Sequence, residues 1–354
     1  MALTFRAASV TDVLAAHDLL QKRDSRSYEL AGAAGYVDGF EPGKSLGWLC
    51  FDGERPVGLS MLYLRRVVAG GKTFKAGYWG NLFVDPPYRK AMVYPRLPLH
   101  MFRGGQAAGL DFMWTCSRRG ESASVHLSLG CAELGSLPVL AKPLRPAALL
   151  WRRRELPPRF APVARVPDAL FRSLNHFYTA PNRLRAGVES LALSSSEFAA
   201  LAALRDDSCA GFAQDAWDAD GLRERLAKTL ELDPYEIVVT RKQGRIVSWV
   251  AFRMALRGGF KIGALMDLHA APGHEWALRS ALVEAERRIE RAGGEVVLHL
   301  DGISGTARSV LKGLGYVRSP ETYSMMIWPG AFAADHPELR SERWRFSFID
   351  HDSL

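Results

Sequence analysis

Apolar and polar positions alternate with a period of two from residue 46 to residue 85, and the period lengthens toward that of a helix on either side. SVTDVLAAHDLLQ (9–21) puts Val10, Val13, Leu14 and His17 on one helical face. Ser9 with Asp12 three residues on reads as a capping box, so a first helix is expected there. LGWLCFD and PVGLSMLYLRRV form a hairpin turning at Gly53-Glu54, and Gly70-Gly71 turns the chain into TFKAGYWGNLFVD. The pattern then predicts a helix over about 95–108, an apolar strand LDFMWTCS, a short helix ending at Gly130, and a last strand pair through LGSLPVLAKPL.

The second half runs through the same order. SSSEFAALAALRDD is a capped amphipathic helix, YEIVVTRKQGRIVSWVAFRMAL a hairpin around Gln243-Gly244, and FKIGALMDLHA a third strand. A long helix (HEWALRSALVEAERRIERAG), a strand (EVVLHLDG) and a helix ending at Gly315 complete it. Such an internal duplication says more about architecture than any single motif. Residues 141–168 are rich in Pro and Arg, and Pro157-Pro158 cannot continue a helix. The expected layout is an N-terminal domain over 1–150, a linker over 151–186 with a helical stretch near 167–178, and a C-terminal domain over 187–354. The fold class is mixed α/β, with two tandem domains.

Composition narrows the choices. The chain has 354 residues, 48% of them hydrophobic, which suits two packed cores and excludes disorder. No apolar run approaches the roughly 20 residues of a membrane span, and the start carries no secretory pattern, so a cytoplasmic protein is expected. Cys50, Cys116, Cys131 and Cys209 show no paired spacing, which argues against a disulfide framework or a zinc site. The net charge of +8 is spread over short clusters such as Arg65-Arg66 and Arg152-Arg153-Arg154. It favours anionic partners: a phosphorylated cofactor, an acidic carrier protein or nucleic acid. No basic-aromatic stripe marks an RNA surface. Asp267, His269 and His274 fit no metal-ligand spacing. DGFEPGKS (38–45) resembles a phosphate loop, but Asp38 replaces its first glycine and no apolar strand precedes it.

The chemistry concentrates in FVDPPYRKAMVYPRL (83–97), a strand leading through a turn into a helix. With the duplicated order around it, this stretch resembles the GNAT superfamily of N-acyltransferases, of the bacterial type. The resemblance covers nearly the whole chain and implies two tandem GNAT-like domains, each with a sheet splayed between its fourth and fifth strands. It implies acetyl-CoA or a longer acyl-CoA as donor, with Leu82, Phe83 and Val84 on the strand that pairs with pantetheine. The pyrophosphate loop, R-x-x-G-x-G or R-x-x-G-x-A in the family, would be Arg89, Lys90, Ala91, Met92, Val93 and Tyr94. Such loops present backbone N–H groups and a helix start to phosphate, and glycine permits close approach. Here Met92 and Tyr94 stand where small residues are expected.

Family enzymes often place a proton-donating tyrosine after the fifth strand. His126 takes that position in the first half and Leu311 in the second, so the resemblance assigns the donor to the first domain. Asp85 and Tyr78 are the other catalytic candidates, on or beside the fourth strand; Asp85 could equally hold the turn at Pro86-Pro87. Strict alternation would put Tyr78, Gly80, Leu82 and Val84 on one face and Asn81, Phe83 and Asp85 on the other. Asp267 and Asp301 are weaker candidates in the second half. The acceptor would be an amine of a small molecule, sugar or peptide. A non-catalytic binding module, an acyl-carrier-protein donor and an aminoacyl-tRNA donor are the alternatives.

Overall fold

The computed structural model describes residues 3–12, 15, 18–19, 44–118, 120–154, 163–183, 187–191, 197–227, 235–257, 259–302, 305–340 and 343–351. Most of the helix expected over 9–21, most of the loop 38–45 and Pro157-Pro158 lie outside that set. The first half runs β1 (Leu3–Ala7), β2 (Ser45–Asp52), β3 (Arg55–Ala69), β4 (Lys72–Val84), α1 (Val93–Ala107), β5 (Phe112–Ser117), α2 (Gly120–Ser128) and β6 (Ala132–Pro143). Two helices follow, α3 (Pro146–Arg153) and α4 (Arg165–Arg183), so the segment read as linker is largely helical where it is described. The second half runs β7 (Gly187–Leu191), α5 (Phe198–Ser208), β8 (Gln214–Asp215), α6 (Ala219–Ala227), β9 (Glu236–Lys242), β10 (Arg245–Arg257) and β11 (Phe260–Ala270). It continues with α7 (Glu275–Arg291), β12 (Val296–Leu300), α8 (Gly305–Gly313), β13 (Val317–Trp328), α9 (Gly330–Asp335) and α10 (Phe348–His351).

The turns obey local chemistry. Gly70 and Gly71 both take positive φ at the β3–β4 hairpin, as do Gln243 and Gly244 at β9–β10. This left-handed pair matches the twist of the strands it joins. The Ser9–Asp12 pair also closes: the Ser9 N–H and hydroxyl donate to the Asp12 carboxylate at 2.8 and 2.9 Å, around a short 3-10 turn at Val10–Asp12.

The chain divides into two compact units that interleave along the sequence. Unit 1 takes residues 1–137, 211–216 and 323–344; unit 2 takes 138–210, 217–322 and 345–354. The unit 1 sheet has the order β1-β2-β3-β4-β5-β13, with β8 against β3. Among its described strands only β4 and β5 run parallel. The unit 2 sheet has the order β6-β12-β11-β10-β9-β7, where among the described strands only β11 and β12 run parallel.

One expectation needs correcting. In place of a strand pair after α2 there is the single strand β6, which pairs with β12 of the second half. The place beside β5 is taken by the end of β13. Each half of the sequence thus supplies the strand that completes the sheet of the other unit.

In unit 1, α1 covers one sheet face with Leu97, Met101 and Phe102 against Trp48, Leu62, Trp79 and Met113. Gly104 lets it lie close, since a Cβ there would fall 2.1 Å from the Trp48 ring. In unit 2, α7 packs Leu278, Leu282 and Ile289 against Val238, Val250 and Leu265.

Candidate functional site

In unit 1 the parallel pairing of β4 with β5 covers only Ala76–Tyr78 against Phe112–Trp114. One residue farther, the Thr115 hydroxyl donates to the Trp79 carbonyl at 2.8 Å and closes the split. On its other edge β5 pairs with β13 from Met113 to Ser117, while β4 continues along β3 to Val84. The β3–β4 register slips between Leu59↔Phe83 and Met61↔Gly80, which inserts an extra residue into β4. Asn81 absorbs it at φ 51, and its side-chain amide donates to the Tyr63 hydroxyl. Asparagine tolerates this left-handed backbone better than most residues. Gly80, Asn81 and Leu82 are half-buried, between the buried Trp79 and Phe83.

The bulge corrects the expected faces of β4. Trp79 and Val84 are five residues apart, yet both belong to the core beneath α1, while Phe83 packs with Leu59 and Met61. Strict alternation forbids that arrangement, and the extra residue permits it. Glycine and asparagine side by side inside a strand pattern were the available signal.

Of the three catalytic candidates, Tyr78 is the last residue paired across the split, and it is buried against Trp114 and Tyr63. His126 comes from α2 and lies on Trp79, with ring centroids 4.4 Å apart. It is 4% exposed, and its Nδ1 has no hydrogen-bond partner among the described residues. Burial lowers its pKa to about 4, so the imidazole is neutral at pH 7. Asp85 stands apart, about 20 Å along the strand from Tyr78 at the usual rise per residue. Arg55 holds its carboxylate at 2.9 Å, and its backbone N–H donates to the Val57 carbonyl. The Tyr88 hydroxyl donates to Asp52 at 2.8 Å, with the Arg55 guanidinium over the Tyr88 ring. This cluster ties the β2–β3 turn to the strand exit, with Asp85 in it.

The loop residues fall into place around that exit. Pro86–Ala91 form a 3-10 turn, and Arg89 on it is exposed, its Nε donating to the Val84 carbonyl at 3.3 Å. The side chains of Lys90 and Ala91 lie outside the described residues. Met92 takes φ 59 and ψ 19, immediately before α1, and its side chain is exposed. The position where the resemblance expects glycine therefore keeps a glycine-like backbone with a methionine on it. Val93 is buried and Tyr94 packs half-buried against the same core. No side chain caps the start of α1 among the described residues.

Unit 2 repeats the split and then fills it. β11 pairs with β12 from Ile262 to Leu265, and a register slip opposite Ala251/Phe252 leaves Met266 as the extra residue. Past that point Asp267, Leu268 and His269 are all buried. Arg345 lies across the gap: its guanidinium donates to the Leu268 carbonyl and to the Gly302 carbonyl, both at 3.0 Å. Gly302 is required there, since a Cβ would fall 1.9 Å from the Phe346 carbonyl oxygen.

Around Arg345 sits a closed ionic network. Arg205 reaches Asp267 at 3.1 Å and Asp350 at 3.0 Å. His269 Nε2 lies 2.9 Å from Asp267 Oδ1, within ion-pair distance. The Ser208 hydroxyl contacts His269 Nδ1. Burial opposes charge on Asp267, but His269, Arg205 and Arg345 outweigh it and hold the carboxyl below its usual range. Burial also opposes charge on His269, and Asp267 outweighs it, so that pKa is raised. Asp301 accepts from Arg308 at 2.6 Å, and His274 sits apart on the surface at the start of α7. Among the described residues no group of three or more His, Cys, Asp and Glu is placed to hold a metal.

The chain is similar to a solved GCN5-related N-acetyltransferase from Anabaena variabilis ATCC 29413 at 9% identity and a TM-score of 0.60, over 92% of this chain and 72% of that one. A GCN5-related N-acetyltransferase from Kribbella flavida matches at 11% and 0.58, over 92% and 70%. The fold is that of the GNAT acyltransferases. Saccharomyces cerevisiae N-myristoyltransferase with bound myristoyl-CoA matches as well, at 13% identity and a TM-score of 0.62, over 92% of this chain and 78% of that one. No family model and no curated protein matches the sequence. Coverage of 92% of the chain takes in both units, so the molecule is two GNAT-like domains, and the duplicated order in the sequence has this fold as its cause. The strand–turn–helix order and the histidine after β5 were legible in the sequence; Asn81, Tyr63, Thr115 and the plug at Arg345 were not.

Proposed function

We propose that the protein is an acyl-CoA-dependent N-acyltransferase whose donor site is the split between β4 and β5 of unit 1. One observation carries this reading: past Tyr78–Trp114 the pairing of β4 with β5 ends, and Gly80, Asn81 and Leu82 are half-buried. A strand left in this state can offer N–H and carbonyl groups to the amides of a pantetheine arm. The turn suits the other end of the donor. Its left-handed Met92 leads directly into α1, where no side chain caps the helix among the described residues, and a helix start is a favourable place for a phosphate. Pro95 has no N–H to add, so Arg89 carries more of the attraction than in a glycine-rich loop.

The reaction this supports is attack of an amine nitrogen on the thioester carbonyl. A C–N bond forms, the C–S bond breaks, and the amine proton passes by way of a base to the departing thiolate. A backbone N–H of the bulge can polarise the carbonyl. His126, neutral at pH 7, is suited to accept the amine proton and hand it on, which is a different role from that of a standing acid. The similarity to acetyl- and myristoyl-transferring enzymes supports acyl transfer in general; the acceptor is an amine of a small molecule, sugar or peptide.

The test is calorimetric titration with CoA, acetyl-CoA and myristoyl-CoA. Arg89→Ala should weaken donor binding by about 5- to 150-fold, or about 1–3 kcal/mol, with an unchanged melting temperature. An unchanged Kd would make the turn structural. A folded protein that binds none of the three would overturn the proposal, and binding without turnover on a panel of amines would favour a non-catalytic module.

A further inference from the structure

Helix α4 is built inside out. Its polar side faces inward: Asp168 is buried and accepts from the Ala147 and Ala148 N–H groups at the start of α3, at 2.8 and 3.2 Å. Arg172 and His176 both reach Glu290 of α7, at 2.6 and 2.9 Å. Thr179 is 1% exposed and donates back to the Asn175 carbonyl. The apolar side faces outward: Val166 is 74% exposed, Leu170 62%, Leu174 61%, Phe177 82% and Tyr178 63%. A helix in a globular domain normally does the reverse.

The outward residues are ordered. Pro167, Leu170, Leu174, Phe177 and Pro181 follow one another at spacings of three and four, and all are exposed. That is the seam pattern by which two helices pack knobs into holes. Among the described side chains the seam carries no charge, and the exposed charged residue of α4 is Arg165, at its N-terminal end.

We propose that this face of α4 is the interface of a two-fold homodimer, in which α4 packs antiparallel against α4 of a second copy. Three features select that occupant. First, reflection about Leu174 carries exposed residues of this face onto one another, so an antiparallel copy meets it with Pro167 opposite Pro181, Leu170 opposite Tyr178 and Leu174 opposite itself. Second, the antiparallel sense separates the two Arg165 side chains and opposes the helix dipoles, whereas a parallel pair would bring like ends together. Third, the area suffices. With Val163 just before the helix, which is also exposed, six side chains at about 100 Å² each give about 1,200 Å² over both copies, the lower edge of stable interfaces. A charged partner would find nothing to pair with along this stripe, and an isologous contact needs only the patch itself.

Sedimentation velocity on the full chain at micromolar concentration should give a dimer, and Leu174→Glu a monomer with unchanged circular dichroism, because the residue is solvent-facing in the single copy. Leu174→Cys should form a disulfide-linked dimer under mild oxidation, while Pro167→Cys should not; the native cysteines are all buried and should stay silent. Crosslinking of both variants would establish a parallel pair and overturn the antiparallel assignment. A wild-type chain that is monomeric throughout would overturn the dimer. If that monomer floated with phosphatidylcholine–phosphatidylglycerol vesicles and Leu174→Glu did not, the face would belong to a lipid surface instead.

Discussion

The two units open their sheets in the same way and finish differently. Each has one parallel pair at the centre, a slipped register that inserts a residue, and strands that part just beyond. In unit 1 the parted strand keeps half-buried residues and a neutral histidine beside it. In unit 2 the same place is stitched shut by Arg345 and the ions around it. A duplicated fold can therefore keep the geometry of a site in both copies while one copy turns it into structure. What distinguishes them is the filling: apolar rings and an uncharged imidazole in one, paired charges in the other.

Removing the stitch is the strongest way to break this comparison. Arg345→Ala should cost about 3–5 kcal/mol in urea unfolding, the scale for leaving a buried ion network without one member. Donor affinity in unit 1 should not change. A loss below about 1 kcal/mol would mean that Arg345 is not what closes unit 2.

The two histidines give the next test, because their shifts have opposite signs. His126 is lowered to about 4 from 6.5, so the stability it contributes is present above pH 6.5 and is lost as pH falls toward 4. His269 is raised, so its contribution is complete below about 6.5 and is lost as pH climbs past its raised pKa. His126→Phe should flatten the acid limb of the stability profile by up to about 3 kcal/mol, and His269→Gln the alkaline limb. His299 is also lowered to about 4, so each variant is to be compared with the wild type and the difference taken. Identical profiles for wild type and His126→Phe would show that the imidazole is not held neutral by its burial.

The smallest effect is expected at Met92→Gly. Relief of the left-handed backbone is worth about 1 kcal/mol, and the greater freedom of glycine in the unfolded chain offsets most of it. The melting temperature should barely move, and donor affinity should hold or improve. A tenfold loss of affinity would show that the methionine side chain itself meets the donor.

The sequence disclosed what is local. Gly53, Gly70-Gly71 and Gln243-Gly244 announced their hairpins because a tight turn needs left-handed backbone, and the apolar periods announced the helices over the sheets. The repeated order of elements disclosed the doubled fold. It could not disclose which strand pairs with which, since β6 and β13 read locally as ordinary strands. The bulge at Asn81 was hidden by the assumption of strict alternation, although Gly80-Asn81 hinted at it. Arg345 was hidden for another reason: it reaches its partners on β11 and after β12 from far along the chain, and an arginine near a terminus looks like any surface charge.

The exchanged strands have a consequence for the growing chain on the ribosome. The sheet of unit 1 cannot be completed when its first 137 residues have emerged, because its last strand ends at Trp328. At about 5–20 residues per second, the intervening stretch of about 190 residues takes about 10–40 s to make. Through that interval the edge of β5 waits without its native neighbour, open to pairing with a second nascent chain.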